Sequence, residues 1–203
     1  MSWITGSNLL EVTAVAFGIL SVFLSVRQNI WSWPTAIVNV TLYFVVFRDA
    51  KLYADMGLQV IYLALSLYGW YEWLHGGDNR SVLRVSRATP RMAAALVAVA
   101  SLSVAVLGTV LERSTDAALP FVDSATTSTS LVAQWMMTRK VLENWAVWMA
   151  VDVAYVLMFV YKSLYLTAGL YAVFFALAAM GHVRWKRSFL ADHPQADGAS
   201  VIV

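Results

Sequence analysis

The sequence predicts an all-α integral membrane protein of seven transmembrane helices, and three observations carry that prediction. Apolar residues fill 60% of the 203 positions while charged ones fill 13%, and the mean hydropathy is +0.66, well above a water-soluble chain of this size. Seven apolar runs are separated by short polar clusters. Lysine and arginine collect in alternate clusters, as the translocation of a multi-pass protein requires.

Crossing about 30 Å of hydrocarbon takes roughly 20 helical residues. The runs that qualify are 8–26, 33–48, 54–74, 91–111, 119–138, 144–161 and 164–185. The second is the weakest, because Pro34 and Asn39 interrupt it and Arg48-Asp49 closes it early. Ahead of the first, MSWITGSNLLEV carries Glu11 and no basic cluster, so this helix is expected to stay in the mature protein rather than act as a cleaved signal. After the last, residues 186–203 turn polar around Pro194 and Gly198 and are expected to form a flexible tail. One side of the membrane receives Arg27, Arg80, Arg84, Arg87, Arg91, Arg139, Lys140, Arg184, Lys186 and Arg187; the other receives Arg48, Lys51, Arg113 and Lys162, with Asp49, Glu112, Asp116 and Asp123. Ten against four places the amino terminus outside and the carboxyl terminus in the cytoplasm.

Sliding the chain over itself by 112 residues exposes an internal repeat. Residues 29–73 align on 141–185 without a gap, with 11 identities in 45 pairs. Trp33 meets Trp145, Tyr43 meets Tyr155, Phe47 meets Phe159, Leu52-Tyr53 meets Leu164-Tyr165, Gly69 meets Gly181 and Trp73 meets Trp185. The predicted organisation is therefore three plus one plus three: a first three-helix repeat over 1–74, a basic loop and linker helix over 75–118, a second repeat over 119–185, and the tail. Parallel repeats of this kind build carriers with a substrate site near the midplane between the halves.

The stretches NIWSWPTAIVNVTLYFVVFRDAKLYADMGLQVIYLALSLYGWYEW and DSATTSTSLVAQWMMTRKVLENWAVWMAVDVAYVLMFVYKSLYLTAGLYAVFFALAAMGHVRW resemble the Pnu vitamin transporters. The likeness spans both repeats, through W-x-W-P, K-L-Y-A-D-M-G-L-Q, G-W-Y-x-W and E-N-W-x-x-W-x-x-V-D. It implies a SWEET-like seven-helix fold in a bacterial inner membrane, assembled as a homotrimer. It further implies facilitated diffusion of nicotinamide riboside, with thiamine and then riboflavin as alternatives, and trapping of the vitamin by a cytoplasmic kinase. The chain departs from the family pattern at His182, where an aromatic or other bulky residue is expected after Gly181.

Nicotinamide riboside and thiamine are flat, permanently cationic heteroaromatics, so their site calls for aromatic faces and an acid; cation–π contacts of roughly 0.5–2 kcal/mol each suffice for micromolar binding. Asp152, an acid deep within a span, is the sharpest candidate, with a hydrogen bond to Thr126, Thr127 or Ser128 as its structural alternative. Asn39 lies at nearly the same depth in the first repeat and binds ribose hydroxyls or glues helices. Gln59 and Tyr62 share a face of the third span; Gln134 and Trp135 on the fifth join Asn144 and Trp148 on the sixth as a second polar-aromatic cluster, with Thr127 and Tyr155 nearby. Trp33, Trp70, Trp73 and Trp185 lie at one membrane edge, where they form an interfacial belt or a gate. Gly57, Gly69, Gly169 and Gly181 suit close helix packing.

Other classes fit poorly. The cysteine-free chain offers no thiolate metal site, its small net charge of +2 gives no nucleic-acid footprint, and no G-x-x-x-x-G-K-[ST] loop, H-E-x-x-H or G-x-S-x-G occurs. A retinal protein needs a lysine within its last span, and residues 165–185 contain none. No cofactor and no catalytic residue are expected. A scaffold or sensor on the same repeat is separated from a carrier by a flux assay.

Overall fold

The computed structural model describes residues 6–114, 119–161 and 163–194. Asp116, Lys162 and residues 195–203 of the expected tail lie outside them. Seven α-helices are present among the described residues: α1 (Gly6–Val26), α2 (Ser32–Asp49), α3 (Tyr53–His75), α4 (Pro90–Ser114), α5 (Pro120–Thr138), α6 (Asn144–Tyr161) and α7 (Tyr165–Asp192). A single 3₁₀ turn, Asp78–Arg80, and an extended strap over 81–89 join α3 to α4. By length and composition α1, α4, α6 and α7 are apolar enough to cross a membrane; α2, α3 and α5 carry a larger share of hydroxyl and amide groups.

Unlike a soluble globule, the molecule exposes many large apolar side chains and buries many hydroxyls. Val97, Val99, Leu102, Val106 and Val110 of α4 and Leu157, Tyr161 and Leu166 of α6 and α7 are exposed, whereas Ser21, Ser25, Ser32, Ser66, Ser124, Thr126, Ser128, Ser130 and Asn144 are buried. Helices surrounded by hydrocarbon gain nothing from turning leucines inward, so small and hydrogen-bonding residues line their contacts instead.

One boundary differs from the sequence expectation: α7 continues past Trp185 to Asp192. No glycine or proline interrupts residues 186–192, and Phe189 and Leu190 remain partly buried. The helix stops where Pro194 forces the residue before it out of the helical region, His193 standing at φ −132, ψ 68.

The chain divides into two compact units, the residues up to Arg84 with Thr138–Lys140, and Val85–Met137 with the residues from Val141 onward. In the first, α1 packs on α2 and α2 on α3. Ser21 Oγ donates to the Ser32 carbonyl at 2.9 Å and Asn39 Nδ2 to the Ala14 carbonyl at 2.7 Å. The Trp33 ring fills the space over Gly69 and meets Trp73 edge-on, centroids 5.2 Å apart. Within the second unit α6 packs on α7, Trp145 lies over Gly181, and Trp145 meets Trp185 edge-on at 5.3 Å.

Local geometry recurs at the 112-residue spacing. Gln28 and Lys140 both adopt positive φ, 54° and 48°, as do Lys51 and Ser163, both at 59°. Each ends a helix in the same way: the next N–H reaches back five residues, Asn29 to Leu24 at 2.9 Å, Val141 to Met136 at 3.0 Å, Leu52 to Phe47 and Leu164 to Phe159 at 2.8 Å. This left-handed cap satisfies carbonyls that helix ends otherwise leave open, which explains short turns without glycine.

Of the four glycines singled out from the sequence, Gly69 and Gly181 are closely packed, whereas Gly57 and Gly169 have open space where a side chain would stand. In Gly181→Ala the new methyl would lie 2.6 Å from the Trp145 ring, an overpacking that costs about 1–3 kcal/mol. Its melting temperature in detergent should therefore fall by several degrees, while Gly169→Ala should melt at or above the parent temperature; equal behaviour of the two would remove the tryptophan seat from this account.

Candidate functional site

Helix α6 sets the site, because successive residues advance by about 100° and Asn144, Trp148, Asp152 and Tyr155 thereby fall within roughly 80° of one another on one face. Asp152 stands about 12 Å along the helix from Asn144 and is 4% exposed. Among the described residues no lysine, arginine or histidine pairs with its carboxylate, and no hydrogen bond joins it to Thr126, Thr127 or Ser128. The hydroxyls of α5 are engaged elsewhere: Ser124 donates to the Pro120 carbonyl at 2.7 Å, and Thr126 to the carbonyls of Val122 and Asp123 at 3.0 Å. Tyr155, one turn further along α6, takes the cross-helix bonds to Thr126 and Ser130, with Asp152 as an electrostatic neighbour. Its ring stacks on Tyr171 at 4.5 Å and lies 6.0 Å from Phe159.

Several buried polar atoms of this unit have hydrogen-bonding capacity to spare. They are Asn144 Oδ1, whose amide nitrogen already donates to the Val141 carbonyl at 2.5 Å, together with Ser128 Oγ, Trp145 Nε1 and His182 Nδ1. In the first unit Ser32 Oγ and Trp33 Nε1 are in the same condition. Leaving such groups unpaired costs about 1–3 kcal/mol each.

The other candidates are placed as follows. Thr127, Gln134 and Trp135 on α5 and Trp148 on α6 are partly buried, as are Gln59 and Tyr62 on α3, where the two share the inward face that carries Ser66 and Trp73. Asn39 spends its amide on the Ala14 carbonyl of α1, and its Nδ2 sits 3.0 Å from where a side chain of Gly18 would stand. The belt reading fails for three tryptophans: Trp33 and Trp73 are 2% exposed and Trp185 is fully covered, whereas a belt ring lies among lipid headgroups. Trp70, with Trp31, is exposed.

Sequence reasoning missed the role of the polar groups around the start of α6. Leu142 N–H bonds the Ser86 carbonyl at 2.8 Å, and Glu143 accepts the Ala88 N–H at 2.9 Å and Arg87 Nε at 3.0 Å. Lys140, counted only as a topogenic charge, is 4% exposed; burial lowers its ammonium from the usual 10.5 to about 8. A positive-φ position directly before an apolar pair was its one signal, and that is invisible without the backbone.

Seven helices, four of them long and apolar enough to cross a membrane, fit a multi-pass membrane protein, and comparison with known proteins gives its kind. The profile of the nicotinamide mononucleotide transporter family matches residues 8–187; the chain belongs to this family of Pnu vitamin transporters. It is 27% identical over 93% of its length, and 87% of the relative's, to the nicotinamide riboside transporter PnuC of Escherichia coli. It is 26% identical over 90% of its length, and 87% of the relative's, to the riboflavin/roseoflavin transporter RibM of Streptomyces davaonensis. The crystal structure of the vitamin B3 transporter PnuC superimposes with a TM-score of 0.69 at 25% identity, over 89% of this chain and 81% of that one.

The Glu143 clip is sensitive to pH in a defined direction. Burial pushes its carboxyl up, but the Ala88 N–H and Arg87 together outweigh burial and hold it below the usual carboxylate value. A depressed folded-state value means that the clip contributes stability above the unfolded carboxylate's range and loses it as pH falls through the lowered one. Thermal unfolding followed from pH 7 to about pH 3, through the unfolded carboxyl's range and below it, should show this loss in the parent and a flatter profile in Glu143→Gln; identical profiles would count against the clip.

Proposed function

We propose that this chain carries nicotinamide riboside through the bacterial inner membrane by facilitated diffusion, with Asp152 as counter-ion to the pyridinium. The observation that carries this reading is the buried carboxylate without a partner. Glu72 and Glu143 each face an arginine, while the more deeply buried Asp152 faces no cation among the described residues, and an unpaired carboxylate inside a membrane is among the costliest arrangements a helix can hold. A substrate with a fixed positive charge relieves it. The names of two PnuC relatives, from Escherichia coli and Shigella flexneri, support the same substrate.

In this reading Trp148 and Tyr155 offer ring faces to the vitamin, and Asn144, Gln134, Trp135 and Thr127 meet its polar groups. Gln59, Tyr62 and Asn39 are the equivalent candidates of the first repeat, and Trp70 is the gate candidate. The organisation is three plus one plus three, with all seven helices crossing and the amino terminus outside; the recurrence of the turns at Gln28 and Lys140, and at Lys51 and Ser163, supports it. A homotrimer, and a cytoplasmic kinase that traps the vitamin by phosphorylation, complete the proposal. Riboflavin is the second reading, favoured by the likeness to RibM, and it differs in being neutral. Thiamine, also cationic, satisfies the same acid.

Purified protein in liposomes should take up labelled nicotinamide riboside without an imposed gradient and equilibrate it across the membrane; riboflavin uptake with no nicotinamide riboside uptake would transfer the assignment to the second reading. Asp152→Asn should weaken binding of nicotinamide riboside about 10- to 100-fold, the scale of losing one charge partner, and equal weakening of riboflavin would mark Asp152 as structural. Trp148→Cys, in a chain without other cysteines, should be shielded from a thiol reagent by bound vitamin; unchanged labelling would take Trp148 out of the pathway.

A further inference from the structure

The turn between α5 and α6 holds two cations for which the transport reading has no use, and both are tied down within the first unit. Arg139 Nη1 lies 2.8 Å from the Glu72 carboxylate and donates to the Tyr68 hydroxyl at 3.1 Å, both on the last turns of α3. Lys140 Nζ donates to the Leu83 carbonyl at 2.9 Å and to Gln28 Oε1 at 3.4 Å, and sits 4.5 Å from the centre of the Trp73 ring. Trp73 is itself locked edge-on to Trp33, and its carbonyl receives the Leu83 N–H at 3.2 Å. One short turn is thus bound to the α1–α2 turn, to α3 and to the strap at once.

A gate must release its contacts in every cycle, so its bonds are few and exposed. Around Lys140, 4% exposed, the opposite holds; Arg139, whose side chain is 39% exposed, adds a partly open ion pair. The ammonium is buried without a carboxylate, and its charge is supported by a π face, a carbonyl and an amide that surround it, contacts that are strong when desolvated and are lost together. Gln28 and Lys140 are also repeat-equivalent positions with the same left-handed backbone, so the lysine adds to one copy a tether that the other lacks.

We propose that Thr138–Lys140 is a static anchor that stays docked in the first unit throughout the transport cycle, making Trp73 part of a fixed joint and not of a gate. The proposal rests on the reading of the chain as a carrier.

Acetylation of lysines in nanodiscs, with and without saturating nicotinamide riboside, tests it on the unaltered protein by mass spectrometry. Lys140 should react slower than exposed Lys51 by about 100-fold, as expected of a side chain released only by local opening, and the vitamin should leave that ratio unchanged. Reaction at a rate near that of Lys51, or acceleration by the vitamin, would overturn the anchor. A second arm uses Glu72→Cys with Arg139→Cys joined by a short bismaleimide in liposomes. Exchange within twofold of the same variant before joining supports the anchor; retained binding with lost exchange refutes it. Absence of exchange by the parent protein would count against the substrate, while the acetylation arm at rest still decides the anchor.

Discussion

Each unit is organised by a tryptophan pressed against a glycine, and the placement of the candidate binding face depends on that contact. Lipid tails are as apolar as leucine, so helices in a bilayer approach one another through small residues and shape rather than through the hydrophobic effect. Trp145 over Gly181 seats α6 on α7 and, with Trp185 edge-on behind it, fixes the rotation of α6. That rotation turns Asn144, Trp148, Asp152 and Tyr155 inward. Trp33, Gly69 and Trp73 repeat the device in the first unit.

With the helices held in this way, polar groups decide the chemistry. Most of those buried find partners close by, often their own backbone, as Ser124 and Thr126 do. Among the exceptions on α6 are an amide oxygen and an indole N–H at its start, and further along it a buried carboxylate that faces no cation among the described residues. A neutral, wholly apolar ligand would leave all of them unrelieved. In the proposed reading a flat cation bearing ribose hydroxyls and a carboxamide brings a charge to the acid and hydrogen-bonding groups to the amide.

Much of this was legible in the sequence, for identifiable reasons. Helix spans were read to within a few residues because hydrocarbon thickness fixes their length, and the 112-residue repeat survived because tryptophan and glycine at the seats tolerate little change. Asp152 stood out by its depth alone. Burial of Trp33, Trp73 and Trp185 was not legible, since an edge tryptophan in a belt and one in a joint have the same sequence context. Asn39 was ambiguous between ligand binding and helix packing, and in the structure its amide nitrogen donates to the Ala14 carbonyl. The extra turns of α7 escaped because basic residues read as the end of a span, although a helix can outlast the membrane. Lys140 escaped because its partners are a carbonyl, an amide and a ring that come from three distant stretches of chain.

The claim on which the functional account turns is that Asp152 recognises charge, and competition between nicotinamide riboside and its reduced, neutral dihydro form tests it most directly. The two differ little in shape, so titration calorimetry of the purified protein with each isolates the charge. Tighter binding of the cationic form by about tenfold or more, equivalent to roughly 1.4 kcal/mol, is the predicted result. Equal affinity for both forms would contradict the account and leave Asp152 without a role in recognition.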